Sequence, residues 1–314
     1  MKAFEVAVGV VSDPDGRILI SRRHQVAHQG GLWEFPGGKV EPGEALSEAL
    51  QREFREEVGI EVKRALPLIR VRHRYPDLAV VLHVFRVENY SGQALGLEGQ
   101  EVRWVDPCEL AKYEFPEANL PILDAIRLPD YWPILNQDVA DSTFLWSAFE
   151  ELVTRGFRAM QIRCKKTAPG RLAEILGPLC KEARRHGIQL VVNGDPALAI
   201  QVQAAGVHLS AARLLESKSR FLSKSHWVGA SCHTLEELGL AQSLGVDYAF
   251  LSPVFATDSH PESKPIGWDE FAFCVDQVNI PVYALGGMKL EYLPLARGHG
   301  ARGIAGVSAF VSGD

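Results

Sequence analysis

The stretch EFPGGKVEPGEALSEALQREFREEVGI, residues 34–60, decides the fold of the first part of the chain. Its glycines and Pro-Gly step are typical of a turn that leads into a helix, which we predict over Ala45–Val58. Residues three and four apart share one face of a helix, so the carboxylates of Glu53, Glu56 and Glu57 converge. Like charges this close raise one another's pKa and cost stability unless a cation lies among them. The stretch indicates either a solvated acidic helix or a cation site of oxygen ligands, which Mg²⁺ or Mn²⁺ prefers.

Two further features of the same stretch predict how the helix is held. An apolar row beside the glutamates can anchor the helix to a core; it consists of Leu46, Leu50, Phe54 and Val58. Gly37 and Gly38 lack side chains, so the backbone can approach a bound cation closely there.

Length and composition limit the possible classes of protein. The chain has 314 residues, which is long for one core and favours two domains. Its net charge of −6 disfavours binding to polymeric nucleic acid and favours small substrates. No apolar run approaches the roughly 20 residues of a membrane span. Five scattered cysteines without a CxxC pair are typical of reduced thiols, so we expect a cytoplasmic protein.

The first domain, residues 1–128, mixes strand and helix patterns and is predicted to be α+β. Strands are predicted at AFEVAVGVV, RILISRR, LAVVLHVFRVENY and EVRWVD, several with period-two alternation. A second helix is expected over Asn119–Arg127. The boundary lies in RLPDYWPILNQDVADS, residues 127–142, which carries two prolines and several turn formers. We place the first strand of the next domain inside it, at Tyr131–Asn136.

The second domain, residues 129–314, alternates short apolar strands with helical patterns. Examples are FRAMQIR before a helix over Leu172–His186, IQLVVN before Pro196–Ala205, and HWVGASC before Leu235–Leu244. Repeated βα units predict a parallel sheet that is buried on both faces. About eight such strands suit a closed (β/α)8 TIM barrel better than an open sheet.

The spacing around the acidic helix resembles the Nudix box, G-x5-E-x7-R-E-U-x-E-E-x-G-U, at every position from Gly38 to Ile60. The first domain also resembles Nudix hydrolases of the MutT (8-oxo-dGTP diphosphatase) type in elements outside the box: SRR at 21–23, EFPGGK at 34–39, YPD at 75–77, EGQ at 98–100 and FPEAN at 115–119. This resemblance implies a Mg²⁺-dependent attack of water on phosphorus. The reaction would split a nucleoside triphosphate into monophosphate and pyrophosphate.

By the same resemblance, Glu53, Glu56 and Glu57 would hold the metal with a carbonyl of Gly37 or Gly38. Glu98 would be a further ligand or base, and Glu53 and Glu98 are the candidate catalytic residues. Without the resemblance, Glu98 would pass for an exposed loop acid. Glu44 and Arg52 are expected to hold the geometry of the loop and helix.

The resemblance also implies a set of substrate-binding residues: Arg23, His28, Phe35, Asp77 and Asn119. An arginine fork matches phosphate oxygens, which makes Arg23 the candidate phosphate contact. Asn119 offers a donor and an acceptor to a purine edge, although it is equally suited to cap the following helix. After YPD this chain has Leu78, where the MutT-type example has an arginine. The expected base recognition therefore differs there.

Polar residues of the barrel point to a second site. Gln161, Arg163 and Lys165 alternate along one strand and so face one side; they either form a site at the end of the strand or run into solvent. Gly286, Gly287, Val307 and Ser308 follow the last two predicted strands, where such barrels commonly bind phosphate through backbone N–H groups.

Together with GVHLS, VGASCHTLEEL and DYAFLSPVFATDS, these features resemble thiamine-phosphate synthase and the tautomerase TenI over residues 131–312. The resemblance adds Asn193, Ser231, His233 and Thr257 to the candidate ligand and phosphate residues. His233 matches a tautomerase histidine, and imidazole can serve as acid or base. The chain departs from the synthases at the two positions where they carry metal-binding aspartates. Gly194 stands at the first, directly after Asn193, and Arg213 stands at the second, a few residues past GVHL. The phosphate loop T-x-T-K reads Thr257-Asp258-Ser259-His260.

We therefore expect a Mg²⁺-dependent nucleotide pyrophosphohydrolase fused to a barrel that binds a thiamine-related phosphate or supports the first domain. Two alternatives stay open. The Nudix site could clear damaged thiamine diphosphate or other diphosphate derivatives, or the barrel could act in thiamine metabolism or as a ligand sensor that regulates the first domain.

Overall fold

The computed structural model of the chain describes residues 3–257, 264–307 and 309–310. The chain divides into two compact units, Met1–Leu128 and Pro129–Asp314. Each unit has its own hydrophobic core, so each is described by itself.

The first unit is built from mixed strands and two helices. Its elements are β1 (Ala3–Val11), β2 (Ile18–Arg22), β3 (Trp33–Glu34), β4 (Gly37–Lys39), α1 (Leu46–Val58), β5 (Glu61–Arg74), β6 (Ala79–Ser91), β7 (Val102–Val105) and α2 (Leu120–Arg127). Short 3₁₀ turns cover Leu110–Lys112 and Glu117–Asn119.

The strands of the first unit form two sheets. One sheet has the order β4-β1-β6-β5, with β1 parallel to β6 and the outer pairs antiparallel. The other is antiparallel with the order β3-β2-β7. Alternate residues of β1 belong to different core clusters: Val8 and Val10 lie in one, and Ala7 and Val11 lie in the other with α1. The predicted α+β class is confirmed, and the β1 pattern shows that this strand is covered on both faces.

The long strand β5 was absent from the strands predicted from the sequence. Its run EVKRALPLIRVRHR carries a proline and many cationic residues, which argue against a strand. In the structure β5 pairs only with β6 in its sheet order, so it is an edge strand, where proline and charge are tolerated. The pairing shifts register between Pro67 and Ile69, and also near Arg64. These irregularities accommodate the proline.

The second unit alternates strands and helices. Its elements are β8 (Tyr131–Gln137), α3 (Ser142–Thr154), β9 (Ala159–Cys164), α4 (Pro169–Arg185), β10 (Gln189–Asn193), α5 (Pro196–Gln201), β11 (Gly206–Leu209), α6 (Ala211–Glu216), β12 (Trp227–Cys232), α7 (Leu235–Ser243), β13 (Tyr248–Leu251), α8 (Gly267–Asp276), β14 (Val282–Ala284), α9 (Leu293–Gly298) and β15 (Gly303–Gly306), with a 3₁₀ turn at Leu290–Tyr292. All neighbouring strands are parallel, and β15 pairs with β8 to close the barrel. The predicted (β/α)8 barrel is confirmed.

Aromatic side chains fill the interior of the barrel. Trp132 on β8 stacks on Tyr248 of β13 with ring centroids 4.3 Å apart. It also meets Trp227, Phe250 and Tyr283, which lie on three different strands. Rings from several different strands can meet only inside the barrel, so the part of the interior that these rings occupy is packed.

His208 on β11 lies in the interior beside these rings and is completely buried. Its Nε2 lies 3.0 Å from Ser231 Oγ, and its Nδ1 lies 3.4 Å from Tyr248 Oη. Burial lowers the pKa of His208 to about 3, and the positive charge of Arg163 acts in the same direction. The folded barrel therefore holds this imidazole neutral.

Each of the five cysteines is a free thiol. Within the described parts of the chain, no helix combines the length and the apolar character needed to cross a bilayer.

The buried neutral His208 predicts that the free energy of unfolding decreases as the pH is lowered. Its folded pKa lies below the unfolded value of about 6.5, so its contribution is complete above that pH and is lost as the pH falls toward 3. Between pH 7 and pH 5 this one group should cost about 2 kcal/mol of unfolding free energy. Denaturant titrations of the full chain and of His208→Asn measure it. The variant should lose about 2 kcal/mol less than the wild type over this range, and equal losses would contradict the assignment.

Candidate functional site

Helix α1 is fastened to the sheet by its apolar face. Leu50, Phe54 and Val58 are fully buried, whereas Leu46 of the predicted row is only half-buried. The ring of Phe54 lies so close to Gly9 of β1 that a Cβ at Gly9 would come within 2.3 Å of it. This contact holds the helix close to the sheet. The acidic face of the helix thereby lies beside Gly37 and Gly38 of β4, as the predicted site requires.

The two glycines of β4 allow the close approach that the sequence predicted. Gly37 has a φ of +145°, and a Cβ there would lie 2.1 Å from the carbonyl oxygen of Ala7. A Cβ at Gly38 would lie 2.2 Å from the carboxyl carbon of Glu53. The Gly37 N–H donates to Glu57 Oε2 at 3.1 Å. The backbone of β4 and the carboxylates of α1 therefore share one small space.

Arg52 organises the other acidic side chains of the box. It donates to both carboxylate oxygens of Glu44, at 2.9 and 3.0 Å, and to Glu53 Oε1 at 2.8 Å. It also donates to the carbonyl of Lys39 at 3.0 Å and lies 3.4 Å from Glu56 Oε2. The hydrogen bonds from Arg52 hold the pKa of Glu44 below its ordinary value. These contacts match the holding role that we expect for Glu44 and Arg52.

Glu57 is the most perturbed carboxylate of the group. Burial raises its pKa to about 8, the hydrogen bond from Gly37 opposes this, and the nearby charges of Glu34, Glu53 and Glu98 raise it further. Carboxylates that destabilise one another's charge are a donor set that a hard cation would stabilise. The residues present therefore fit a divalent metal, although no group of three metal-ligating side chains is arranged as a finished site in the described residues.

Glu98 lies in the loop before β7, tied to the end of α1. Its N–H donates to Gln100 Oε1 at 3.0 Å, and Gln100 Nε2 donates to the carbonyl of Glu57 at 2.9 Å. The loop is thus linked to the helix through Gln100, which the sequence did not single out. The charge of Glu98 reaches Glu57, as its effect on that pKa shows.

A cavity of about 370 Å³ lies beside the acidic site. Most of the predicted substrate residues line it, together with both glycines of β4: Arg23, His28, Phe35, Gly37, Gly38, Leu78 and Asn119. Asp77 is not part of the lining, but its Oδ2 lies 3.3 Å from Nδ1 of His28, which does line the cavity. Other lining residues, including Phe4, Glu34 and Tyr75, were not predicted because nothing in their local pattern marks a cavity.

Asn119 is the N-cap residue of α2 and also lines the cavity. It precedes α2, but its side chain makes no capping hydrogen bond. The residue is only 8% exposed and belongs to the wall of the cavity. Asn119 therefore takes the N-cap position that the sequence allowed without a capping hydrogen bond from its side chain, and its amide stays a candidate for base recognition.

Arg23 is engaged inside the protein. Its Nη1 forms an ion pair with Glu34, and its Nε donates to the carbonyl of His28 at 2.9 Å. Burial raises the pKa of Glu34 to about 7, although the charge and hydrogen bond of Arg23 oppose this. Arg23 therefore reaches the cavity as one half of a pair.

In the barrel, two of the three predicted residues, Gln161 and Arg163, lie on β9, whereas Lys165 follows the end of the strand at Cys164. Gln161 is 2% exposed, and its Oε1 has no hydrogen-bond partner within the described residues. Arg163 is half-buried and donates from Nη1 to Asn136 Oδ1 at 2.8 Å. Lys165 is exposed. Ser231 contacts His208 in the interior of the barrel. His208 was not among the candidate residues of the sequence analysis.

The remaining barrel candidates lie at the carboxyl ends of the strands. His233 Nδ1 is 2.8 Å from the carbonyl oxygen of Ser252. Asn193 and Thr257 are half-buried, as is Val307 after β15. Gly286 and Gly287 have positive φ values and pack against Pro253 and Phe255. Ser308 lies outside the described residues, as do 258–260 of the predicted phosphate loop.

The barrel does not fit the divalent metal of the synthases. Gly194 follows Asn193, and the next residue, Asp195, uses its carboxylate to accept the N–H of Ala197 at 2.9 Å as the cap of α5. Arg213 lies in the six-residue helix α6. The two expected carboxylates are thus replaced by a glycine and a cation.

Comparison with known proteins agrees with this division of the chain. A NUDIX domain model matches residues 7–125, and a thiamine monophosphate synthase (TMP-TENI) model matches residues 133–310. The chain therefore belongs to the Nudix family in its first unit and to the thiamine monophosphate synthase family in its second. Both predicted resemblances are confirmed.

Three relatives each match one unit of the chain. The 8-oxo-dGTP diphosphatase of Escherichia coli (strain K12) is 35% identical over 127 residues, which are 40% of this chain and 98% of that protein. The CTP pyrophosphohydrolase of the same strain is 37% identical over 125 residues, 40% of this chain and 92% of that protein. A protein of Aquifex aeolicus (strain VF5) named "Putative thiamine-phosphate synthase 2" is 33% identical over 186 residues, 59% of this chain and all of that protein.

The geometry of Gly37 predicts that this position accepts no side chain. Gly37→Ala should lower the unfolding free energy by about 3 kcal/mol or more, because it adds a backbone clash to an unfavourable φ. Gly43→Ala is the matched control: Gly43 also has a positive φ, +86°, but open space around it. It should cost only about 1 kcal/mol. Chemical denaturation of the three proteins decides, and similar losses at both positions would contradict the close approach.

Proposed function

We propose that the first unit, residues 1–128, hydrolyses oxidised nucleoside triphosphates of the 8-oxo-dGTP type to the monophosphate and pyrophosphate. The observation that carries the proposal is the position of the acidic face of α1 against the glycines of β4. Both glycines line a cavity whose wall also includes Asn119. An 8-oxo-dGTP diphosphatase and a CTP pyrophosphohydrolase among the relatives support this reaction class.

The reaction that we propose uses Mg²⁺, with Mn²⁺ as a substitute. Glu53, Glu56 and Glu57 would hold the ion, with a carbonyl of Gly37 or Gly38 and with Glu98. When bound, such an ion neutralises phosphate charge and lowers the pKa of a water molecule. Arg52 keeps Glu53 and Glu56 on one side of the helix, since it contacts both. The Gly37 N–H holds Glu57 in place from the opposite side.

The cavity supports recognition of a flat base. Its wall combines apolar residues of β1 and β6 with Phe35, and Asn119 adds an amide that can donate and accept. Leu78 also lines the cavity, and an apolar side chain there supplies no hydrogen bond to distinguish bases. The choice between oxidised guanine and cytosine therefore depends mainly on Asn119 and on backbone groups.

The test is hydrolysis of 8-oxo-dGTP by the full chain with Mg²⁺. We expect 8-oxo-dGMP and pyrophosphate, and loss of turnover when EDTA removes the metal. Glu53→Gln should lower kcat by at least about 100-fold, on the scale of losing a group that stabilises developing charge. Glu48→Gln on the same helix is the control, because glutamine can still accept the N–H of Ala45 that Glu48 accepts at 2.9 Å.

Three outcomes would reject the proposal: release of orthophosphate in place of pyrophosphate, absence of turnover, or a Glu53→Gln protein with near-normal kcat. Measuring kcat/KM for 8-oxo-dGTP, dGTP, CTP and thiamine diphosphate side by side tests the alternative substrates. A clear preference for thiamine diphosphate would favour the alternative in which both units serve thiamine chemistry.

We also propose that the barrel, residues 129–314, binds a thiamine-related phosphate without a divalent metal. The specific observation is the buried Oε1 of Gln161, which has no hydrogen-bond partner among the described residues, two positions before the half-buried Arg163 on β9. A buried acceptor without a partner favours a ligand that donates an N–H group, and a guanidinium favours an anion.

Calorimetry of the full chain with thiamine phosphate and with thiazole phosphate tests the barrel. Binding should persist in EDTA, and Arg163→Gln should weaken it about tenfold or more, as expected for a charge-assisted hydrogen bond. The control is Arg171→Gln, because Arg171 is exposed and forms a surface ion pair with Glu174 on the same helix, α4. No heat with either ligand would leave the barrel a supporting role.

A further inference from the structure

Glu34 is a carboxylate in the cavity wall to which the proposed reaction gives no task. It ends β3, its side chain is 21% exposed, and it lines the cavity. Burying a carboxylate is costly unless it is paired, and here the partner is Arg23. The pair lies between the acidic site, whose Glu57 feels the charge of Glu34, and the segment that follows β2.

Arg23 connects Glu34 to that segment, residues 24–31. Its Nε donates to the carbonyl of His28 at 2.9 Å while its Nη1 pairs with Glu34. A guanidinium that grips a phosphate with two parallel hydrogen bonds needs two neighbouring donors turned toward it. In Arg23, Nε and Nη1 both face partners within the protein, the carbonyl of His28 and the carboxylate of Glu34.

Besides Arg23, the segment is held by His28, whose ring meets Tyr75 and whose Nδ1 lies 3.3 Å from Asp77 Oδ2, and by a hydrogen bond of 3.1 Å from Arg22 to the carbonyl of Gly31. Most of its residues are exposed, and Val26 is completely so. Its backbone closes on itself through Ala27 N–H to His24 and Gly30 N–H to Ala27. Yet it supplies Ala27, His28 and Gln29 to the cavity wall. A segment with little buried surface keeps one shape only if specific contacts hold it.

We propose that Arg23 and Glu34 act together as positioning residues: Glu34 fixes the Arg23 guanidinium, and Arg23 holds segment 24–31 as a wall of the nucleotide cavity. This inference rests on the proposed nucleotide hydrolysis for its kinetic part. It departs from the sequence-based expectation in which Arg23 contacts phosphate by itself. The pair affects how well substrate is bound, and the acidic site of α1 keeps its chemistry.

A double-mutant cycle on the full chain tests the pair, with Arg23→Gln, Glu34→Gln and both together. Each single change should raise KM for 8-oxo-dGTP about fivefold or more and leave kcat within about twofold, because uniform binding is lost. The double variant should be no worse than either single one, since the two residues act as a unit. Arg17→Gln, which removes an exposed ion pair with Asp13 in the same unit, should change neither constant.

Hydrogen exchange gives a second readout that needs no substrate. Amides of residues 24–31 should exchange faster in both single variants than in the wild type, whereas those of α1 should not change. If the wild type hydrolyses no nucleotide, the proposed function fails, but the exchange result still decides the inference. If Glu34→Gln does not fold, Arg23→Lys replaces it: an ammonium reaches one of the two partners and should give an intermediate exchange rate.

Two results would overturn the inference. One is a rise of KM in Arg23→Gln with no change in Glu34→Gln, which would make Arg23 an independent ligand contact. The other is unchanged exchange of residues 24–31 in Glu34→Gln, which would show that the pair does not hold the segment.

Discussion

The first unit depends on one constraint: the acidic helix must lie against the two glycines of β4, Gly37 and Gly38. At Gly38 the space that a Cβ would need is taken by the carboxylate of Glu53. At Gly37 it is taken by the carbonyl of Ala7 on the neighbouring strand. The helix can approach because Phe54 on its apolar face packs onto another glycine, Gly9. Three glycines on two strands thus set the depth at which the carboxylates lie.

Charge in this unit is held by pairs that divide the work. Arg52 gathers Glu44, Glu53 and Glu56 and leaves Glu57 to the backbone N–H of Gly37. Burial raises the pKa of Glu57 to about 8, and the charges of Glu34, Glu53 and Glu98 raise it further. Charge is arranged differently in the barrel interior. His208 is kept neutral among aromatic rings, and Arg163 carries the positive charge.

Strongly periodic and motif-bearing segments could be predicted from the sequence, and long-range contacts could not. The helix predicted over Ala45–Val58 differs from α1 only in that Ala45 is the residue before its first turn. The strand at Ala3–Val11 was predicted to the residue. In contrast, β5 was missed because its edge position, which tolerates Pro67, is a property of the sheet and not of the local sequence. The pairing of Arg23 with Glu34 could not be predicted either, since it depends on how β2 meets β3.

The two faces of β1 separate two kinds of evolutionary change. Val6 and Val8 border the cavity, whereas Ala7 and Val11 pack with the acidic helix. Because neighbouring residues of a strand point to opposite sides, substitutions on one face leave the other nearly untouched. The shape of the cavity and the seating of the acidic helix can therefore be altered by substitutions at separate positions of one strand.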